Sequence, residues 1–241
     1  MLNLPGRSYI IPEPFGVCLI IGAWNYPYQL SVLPLVAALA SGNTVILKPS
    51  EGSSATSHIM AKLINENFAS EYMHVVEGGI PETTELLEQK FDKIFFTGST
   101  LVGKIVYQAA AKNLTPVILE LGGKSPVIVT KNSNLKNSAK RLVWAKFLNS
   151  GQTCIAPDYI MVDEAVKDEF LSYLKSYIDK YQYSFDNKNY VQIINEKNFN
   201  RLVALIDQKK IYCGGDTDLP SRYIAPNLLI LWKWMLPSML L

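Results

Sequence analysis

The chain has 241 residues, of which 49% are hydrophobic and 18% are charged, and its formal net charge is +2. This composition is that of a packed globular protein with one large domain or two modest ones, and it excludes an intrinsically disordered chain. The near-neutral charge, without a dense Lys/Arg cluster, argues against nucleic-acid binding. Three widely separated cysteines, Cys18, Cys154 and Cys213, argue against a disulfide framework or a cysteine metal site, so we expect no metal and a reducing, cytoplasmic compartment.

Neither end of the chain carries a strong membrane or export signal. The first residues lack the charged-then-apolar order of a signal peptide. The apolar stretch 227–241 is interrupted by Lys233 and Pro237, and it is shorter than the about 20 apolar residues that a membrane span needs. We therefore expect no membrane span.

Short apolar runs alternate with longer amphipathic segments in the first half of the chain. The predicted strands are 16–22, 44–48, 73–78, 92–98 and 115–123. The predicted helices are 31–43, with Ser31 as N-cap and Gly42 at its end, and 53–68, 81–89 and 99–113. Strands that are apolar throughout and alternate with helices indicate a parallel sheet covered on both faces.

The same alternation continues after residue 123. Strands are predicted at 125–130 and 159–164 and near residues 211 and 223, and helices at 134–151, 165–181 and 196–210. The simplest architecture is therefore two α/β lobes that meet near residue 122.

Two strand ends carry residues suited to a nucleotide. In "FFTGSTLVGK", Gly98 and Gly103 accompany the turn from a strand into a helix, where backbone N–H groups and the helix dipole favour a phosphate. The spacing is neither the dinucleotide fingerprint nor a Walker loop, so a plain tight turn is an equal alternative. In "ILKPSE", Lys48 and Glu51 follow a strand and could bind ribose hydroxyls, because ligands of doubly wound sheets lie at the carboxyl ends of strands. Two solvated charges are the alternative.

Two further residues could act on a substrate. Asn25, in "GAWNYP" after a buried strand, could donate its amide to a developing oxyanion, or it is a turn residue before Pro27. Glu120, in "ILELGGKSP", interrupts an apolar strand. A carboxylate on a buried strand would have a raised pKa that suits a general base, or it forms a salt bridge with a nearby lysine.

Cys154 lies in "NSGQTCIAPDY", directly after a helical run. Most free cysteines are small core residues, and a nucleophilic thiol needs activation. His58 and His74 lie in a predicted helix and strand, which argues against a cysteine protease. A thiol, a carboxylate base, an amide donor and a dinucleotide site fit one chemistry: the thiolate adds to an aldehyde, hydride leaves the thiohemiacetal for nicotinamide, and base-activated water hydrolyses the thioester.

The stretches "WNYP", "GSTLVGKIVYQAAAKNLTPVILELGGKSP" and "NSGQTCIAPDY" resemble the aldehyde dehydrogenase family, in particular its class-three branch, which acts on fatty and aromatic aldehydes. The resemblance runs from about residue 4 to about Pro226. It implies that Cys154 is the nucleophile and that Glu120 is the water-activating base. Asn25 and the Cys154 backbone N–H would form the oxyanion hole. The cofactor would be NAD or NADP, with NAD slightly favoured, and its implied binding residues are Trp24, Lys48, Glu51, Gly98, Ser99, Gly103 and Leu121.

The resemblance also implies an α/β architecture with a Rossmann-type cofactor lobe and an α/β catalytic lobe, both incomplete. Residues 1–14 would be a strand of an oligomerisation arm, 15–121 the NAD(P)-binding lobe, 122–226 part of the catalytic lobe, and 227–241 a divergent apolar tail. Family members are much longer, and their E-x-F-G-P motif has no counterpart after "YIAP". We expect a medium- or long-chain or aromatic aldehyde as substrate, and homodimers in full-length relatives. An inactive truncated remnant that at most binds nucleotide is the alternative, and an acylating, CoA-using enzyme is less favoured because Glu120 suits hydrolysis.

Overall fold

In the computed structural model, which describes residues 6–184 and 186–230, five apolar runs form one parallel sheet. The strands are β1 Val17–Ile21, β2 Thr44–Lys48, β3 Met73–Val75, β4 Lys93–Thr97 and β5 Val117–Glu120. Their order is β3-β2-β1-β4-β5, and every neighbouring pair is parallel. This sheet belongs to the first of two units, whose boundary lies between Leu121 and Gly122.

Helices cover both faces of the sheet because the central strand is apolar on both sides. The four helices are α1 Pro27–Ala40, α2 Ser54–Asn65, α3 Ile80–Glu88 and α4 Thr100–Ala111. On one face, Cys18 and Ile20 pack in a cluster with Leu35 of α1 and Ala61 of α2. On the other face, the cluster of Leu19 and Ile21 includes Val106 of α4 and residues of α3. The predicted parallel-sheet α/β fold is therefore confirmed.

The strand order reverses at β1, which pairs with β2 on one side and with β4 on the other. The helices that follow β1 and β2 lie on one face, whereas those that follow β3 and β4 lie on the other. In open α/β sheets such a reversal leaves a crevice outside the carboxyl ends of the strands. The segments that follow β1, β2, β4 and β5 are therefore the expected place of a ligand site.

The second unit contains shorter strands and three helices among the described residues. Its elements are β6 Val127–Val129, α5 Leu135–Phe147, β7 Ile160–Val162, α6 Lys167–Tyr181, α7 Glu196–Val203, β8 Ile211–Cys213, β9 Thr217–Asp218, β10 Tyr223–Ile224 and β11 Leu228–Leu229. Strands β6 and β7 are parallel, whereas the pairs β8/β11 and β9/β10 are antiparallel. The core of this unit is built by α5 and α6, with Val143, Phe147, Phe170 and Leu174 all buried.

The first helix starts earlier than predicted. Pro27 occupies the first turn of α1, a position that proline favours because its missing N–H would have no intrahelical partner there. Ser31 is therefore not the N-cap but a fully buried residue inside the helix. The helix ends at Ala40, and Gly42 follows with a φ of +85°.

Several other predicted elements are shorter in the structure, helix 196–210 and strand 115–123 among them, and the predicted arm strand is not a strand over residues 6–14. Helix 196–210 ends at Val203 because Asp207 caps a separate 3-10 turn, Gln208–Lys210, by accepting a hydrogen bond from Lys209 N. Strand 115–123 shrinks to β5. The described part of the expected arm strand, 6–14, has no regular secondary structure and is exposed, since a strand needs a hydrogen-bonded neighbour and residues 6–184 and 186–230 supply none there. Residues 1–5 of that prediction lie outside the described residues, as do 231–241 of the predicted tail.

Within the described ranges, no helix is both long and apolar enough to cross a membrane. The same residues contain no group of three or more His, Cys, Asp and Glu side chains that could hold a metal ion.

Candidate active site

The carboxyl ends of four adjacent strands carry most of the residues predicted from the sequence. Lys48 is the last residue of β2 and Glu120 the last of β5. Gly98 follows β4 directly, and its N–H donates to the Glu120 carbonyl at 3.0 Å. Gly22 follows β1 and donates to the Lys48 carbonyl at 3.0 Å, so that Trp24 and Asn25 leave the sheet at the same edge. Predictions from separate motifs therefore converge on one edge of the first unit.

Lys48 is a buried cation, with only 1% of the residue exposed. Its Nζ donates to the Pro49 carbonyl at 2.8 Å, and Glu51 Oε2 lies 3.9 Å away. Burial lowers the pKa of the Lys48 ammonium, whereas the carboxylates of Glu51 and Glu82 act in the opposite direction. An ammonium has three N–H groups, so Lys48 keeps hydrogen-bonding capacity for a ligand.

Glu51 and Trp24 lie next to this lysine. Glu51 begins a 3-10 turn, Glu51–Ser53, and its side chain is 61% exposed. A Cβ placed on Gly52 would lie 3.0 Å from Trp24 Cβ, so the half-buried tryptophan packs against the turn that carries Glu51. Lys48, Glu51 and Trp24, predicted to bind the cofactor, are thus neighbours.

The end of β4 combines a buried hydroxyl with the start of α4. Thr97 is 8% exposed, and its Oγ1 has no hydrogen-bond partner among residues 6–184 and 186–230. Ser99 is the N-cap of α4, and its hydroxyl accepts from Val102 N at 3.3 Å. Sequence reasoning missed Thr97, although a hydroxyl residue that closes an apolar strand directly before Gly98 is a visible signal.

Gly103 and Leu121 are packing residues in this fold. Gly103 lies inside α4 and is buried, and a Cβ on it would be 2.9 Å from Leu121 Cδ2 and 3.5 Å from Phe96 Cε1. Its small size lets the helix approach the sheet. Gly103 lies one turn inside α4 and not at the turn from β4, which corrects its expected position. Its role and that of Leu121 in cofactor binding stay predictions.

Asn25 lies half-buried in the bend between β1 and α1. Pro27 follows at the start of α1, so the residue occupies the turn that the sequence allowed. The bend places Asn25 at the carboxyl edge of the sheet. Both readings of this residue, as a turn former and as an amide donor, therefore stay compatible with its position.

Glu120 is exposed, which corrects the expectation of a carboxylate on a buried strand. The reason is that β5 is an edge strand of the sheet and alternates half-buried with exposed residues. Among the ion pairs of the described residues, none includes Glu120. The carboxylate is accessible to water, and the alternative of a salt bridge with a lysine is not found.

In the second unit, the loop that carries Cys154 is held at its start by polar contacts. A 3-10 turn, Leu148–Gly151, follows α5, and Asn149 and Ser150 have φ values of +52° and +54°. Gln152 Oε1 accepts from Ile194 N at 2.9 Å, and its Nε2 donates to the Gln192 carbonyl at 3.2 Å. Sequence reasoning missed this bridge because it joins segments about forty residues apart.

The loop is also tied down around the cysteine itself. A Cβ on Gly123 would lie 2.9 Å from the Cys154 carbonyl oxygen, so that glycine permits close backbone approach. Asp158 pairs with Lys124 at 3.1 Å and with Lys146 at 3.8 Å. Burial lowers the pKa of Lys146, and the nearby Asp158 carboxylate acts against this shift. Cys154 therefore lies on a loop that ion pairs and close backbone packing hold in place; we call it the braced loop.

The three cysteines have different surroundings. Cys154 is exposed, Cys18 is buried, and Cys213 is intermediate. Burial raises the pKa of Cys18, and the nearby Asp92 raises it further. Burial likewise raises the pKa of Cys213, although Lys175 acts against that shift. Cys154 is thus the most accessible thiol for a substrate carbonyl.

The residues at the sheet edge fit a nucleotide cofactor. Lys48 offers N–H groups, and the Thr97 hydroxyl is buried without a partner among the described residues. Both belong to strands that flank β1, where the strand order reverses. A buried polar group without a partner is costly unless a ligand or water satisfies it. A ligand rich in oxygen atoms, such as a dinucleotide, would supply acceptors to both groups.

Comparison with known proteins identifies the family to which the chain is similar. Residues 4–230 match the model of the aldehyde dehydrogenase family, four residues beyond the expected end of the resemblance at Pro226. The chain is 52% identical over 225 residues to the mouse "Aldehyde dehydrogenase, dimeric NADP-preferring", covering 92% of this chain and 49% of the relative. It is 47% identical over 231 residues to "Aldehyde dehydrogenase family 3 member A2" of Macaca fascicularis, covering 95% and 48%.

A solved structure shows the same relationship. The substrate-bound AldH of Staphylococcus aureus superposes with a TM-score of 0.87 at 48% sequence identity, covering 90% of this chain and 48% of that one. The chain thus spans about half the length of the relatives that it matches. The match of residues 4–230 to the family model establishes that the chain belongs to the aldehyde dehydrogenase family.

Proposed function

We propose that this chain oxidises an aldehyde to a carboxylic acid with NAD or NADP, through a thioester on Cys154. The observation that carries the proposal is the exposed thiol of Cys154 on a braced loop, in a member of a family of aldehyde dehydrogenases. The two other cysteines are less exposed, and burial raises the pKa of each.

In the first half of the proposed reaction, the Cys154 thiol releases its proton to solvent, and its Sγ forms a bond to the carbonyl carbon of the aldehyde. The π electrons of the carbonyl move to its oxygen, and the Asn25 amide and the Cys154 backbone N–H donate to that oxyanion. A nicotinamide cofactor held by the residues at the carboxyl edge of the sheet would supply the acceptor for the hydride that leaves the same carbon. The carbonyl then re-forms as a thioester on Cys154.

In the second half, Glu120 accepts a proton from a water molecule. The water oxygen bonds to the thioester carbon, the C–S bond breaks, and the sulfur leaves as the thiolate of Cys154. Glu120 is exposed, so its carboxylate can contact a water molecule. An acylating reaction with CoA would need no such base.

For the cofactor, the residues that fit are Lys48 and Glu51 at the ribose, Trp24 as a wall, and the segment of Thr97, Gly98 and Ser99 at the start of α4. We propose a slight preference for NAD, because the Glu51 carboxylate would repel a 2′-phosphate, although the mouse relative is named NADP-preferring. The proposed substrate is a medium- or long-chain or aromatic aldehyde.

The remaining assignments concern the organisation of the protein. We propose a cofactor lobe in 15–121, a catalytic lobe in 122–226 and a tail in 227–241. Because residues 6–14 are not a strand in the single chain, we propose that residues 1–14 form an arm strand only when they pair with a second copy of the chain. We also propose that full-length relatives are homodimers, as the name of the mouse relative says that it is dimeric, and we propose a cytoplasmic location.

The test of this function is a turnover assay of the purified chain with NAD or NADP and a panel of aldehydes. Cys154→Ala should abolish turnover, whereas Cys213→Ala should leave it unchanged. Glu120→Gln should block hydrolysis more than acylation, so mass spectrometry should find acyl-enzyme accumulating on Cys154. If neither a burst nor an acyl-enzyme forms with Glu120→Gln, then Glu120 acts before hydride transfer and its assignment is wrong.

A second candidate function is nucleotide binding without turnover. It is favoured by one observation: every residue proposed for the nucleotide belongs to the first unit, whereas Cys154 belongs to the second. Binding of NAD by titration calorimetry in a chain that shows no turnover with any aldehyde would favour this candidate.

A further inference from the structure

A second carboxylate lies beside the proposed ribose site, at the start of α3. Glu82 occupies the third position of this helix, and its Oε2 accepts a hydrogen bond from Gly79 N at 2.7 Å. Hydrogen bonds from its own backbone N–H and from Gly79 N lower the pKa of Glu82. Gly78 has a φ of +127°, and a Cβ there would clash with the Glu82 carboxyl group. The turn before α3 is therefore shaped around a carboxylate.

The start of α3 adjoins the residues that follow β2. Strand β3, which precedes α3, pairs with β2. A Cβ on Gly79 would lie 4.0 Å from Glu51 Cγ, and Glu51 lies 3.9 Å from the Lys48 ammonium. The Glu82 carboxylate also acts on Lys48. Lys48, Glu51, Gly79 and Glu82 thus form one contiguous corner.

This corner carries more negative than positive charge. Among these four residues Lys48 is a cation, whereas Glu51 and Glu82 are carboxylates that both act on it. Carboxylates are acceptors that suit ribose hydroxyls, but they repel a phosphate ester.

The start of a helix is otherwise a favourable place for a phosphate, because its N–H groups and dipole attract anions. At α3 the Glu82 side chain already fills that place through Gly79 N. A 2′-phosphate on a ribose held by Lys48 and Glu51 would compete with a carboxylate that is part of the protein.

We propose that Glu82 is a specificity-determining residue that selects against a 2′-phosphate and so favours NAD over NADP. This inference rests on the proposed nucleotide site. It adds to Glu51 a second determinant on a different element, which no sequence motif pointed to.

The test is the variant Glu82→Gln, which removes the charge and keeps a side chain that can cap the helix in the same way. Titration calorimetry of the full chain with NAD and with NADP should show NADP affinity rising about five- to tenfold, with NAD affinity within about twofold of wild type. Glu82→Asp, which retains the charge, and Glu85→Gln, three residues further along the same helix, should both leave the NADP-to-NAD ratio unchanged.

The possible failures can be told apart. If wild type binds NAD and the ratio is the same in Glu82→Gln, Glu82 is not a determinant, while the proposed function stands. If Glu85→Gln shifts the ratio as much as Glu82→Gln, a general charge effect replaces the local one and the inference is wrong. If wild type binds neither nucleotide, the nucleotide part of the proposed function fails, and this inference fails with it.

Discussion

The polar side chains at the two ends of the parallel sheet differ in how fully they are hydrogen-bonded. At the amino end, Asn43 Oδ1 accepts from Gly16 N at 3.1 Å, and Asp92 Oδ2 accepts from Val17 N at 2.8 Å. Thr115 Oγ1 donates to the Phe91 carbonyl at 2.7 Å. At the carboxyl end, the Thr97 hydroxyl has no partner within the described part of the chain, and the buried Lys48 donates to a single neighbouring carbonyl there.

The difference separates structural from functional polar groups. At the amino end each of these side chains satisfies a backbone group, as buried polar groups in folded proteins usually do. At the carboxyl end hydrogen-bonding capacity remains, and this is the edge where α/β sheets bind ligands. Substitutions at the amino end should therefore lower stability, whereas those at the carboxyl end should lower nucleotide affinity.

The largest expected effect is at Lys48. Replacing it with methionine should weaken NAD binding by about 100-fold, because a charged donor to the ligand is worth roughly 1.5–3 kcal/mol. The stability should be unchanged or higher, since apolar replacement of a buried ionic group is often neutral or stabilising. Calorimetry with NAD and thermal unfolding measure both. If Lys48→Met lowers the unfolding free energy but leaves NAD affinity unchanged, the claim that the carboxyl end of the sheet serves ligand binding is wrong.

The pH dependence of the same variant sharpens the test. Burial lowers the pKa of Lys48 in the folded protein, so above that pKa the unfolded chain binds this proton more strongly. The unfolding free energy of wild type relative to Lys48→Met should therefore rise with pH, from the lowered pKa up to about 10.4, the value of an exposed lysine. Urea unfolding at several pH values checks the sign.

The next effect is at the amino end. Asn43 is 5% exposed, accepts from Gly16 N and donates from Nδ2 to the Ala38 carbonyl at 2.9 Å. Asn43→Ala should lower the unfolding free energy by about 2–3 kcal/mol, because buried partners are left unsatisfied, with NAD affinity unchanged. Asn67→Ala, at an exposed helix end, is the control and should cost less than about 0.5 kcal/mol.

Cysteine labelling compares buried and exposed positions directly. Iodoacetamide should modify Cys154 at least about tenfold faster than Cys18, because thiolate and exposure both govern reactivity. Since burial raises the pKa of Cys18, its labelling should need higher pH as well as opening of the sheet. Mass spectrometry of timed samples identifies the sites. Faster labelling at Cys18 and Cys213 than at Cys154 would remove the main support for the nucleophile.

The smallest effect uses a matched pair of threonines. Thr97→Val should weaken NAD binding by about three- to tenfold, corresponding to one hydrogen bond, and leave stability equal or slightly higher, because its hydroxyl lacks a partner among the described residues. Thr115→Val should lower stability by about 1 kcal/mol and leave binding unchanged, because its hydroxyl bonds to Phe91. If Thr97→Val and Thr115→Val lower the unfolding free energy equally, the distinction between binding groups at the carboxyl end and structural groups at the amino end is wrong.

Much of the fold could be predicted because its strands are short apolar runs separated by amphipathic helices. Strand 44–48 was predicted with its observed bounds. Helix starts were harder: Ser31 looks like an N-cap, but Pro27 four residues earlier begins the helix. A local sequence pattern offers several residues at which a helix could begin. The packing of α1 against the sheet decides which of them is the first residue.

The candidate site was predictable where chemistry is local. Lys48, Glu51, Gly98 and Ser99 follow strands, and in a parallel sheet all such segments emerge at one edge. Long-range features were not predictable: Gln152 bridges to residues 192–194, and Glu82 lies beside the Lys48–Glu51 corner only because β3 pairs with β2.

By itself the sequence determined the order of strands and helices and the residue types at each strand end, because periodicity and turn chemistry act over a few neighbours. The tertiary structure decided which of these residues are buried, paired or open to solvent. It placed Gly103 against Leu121 in a packing contact, left Glu120 exposed on an edge strand, and buried Lys48 and Thr97. Burial and pairing depend on which distant segments come into contact, and that information lies in no single stretch of the chain.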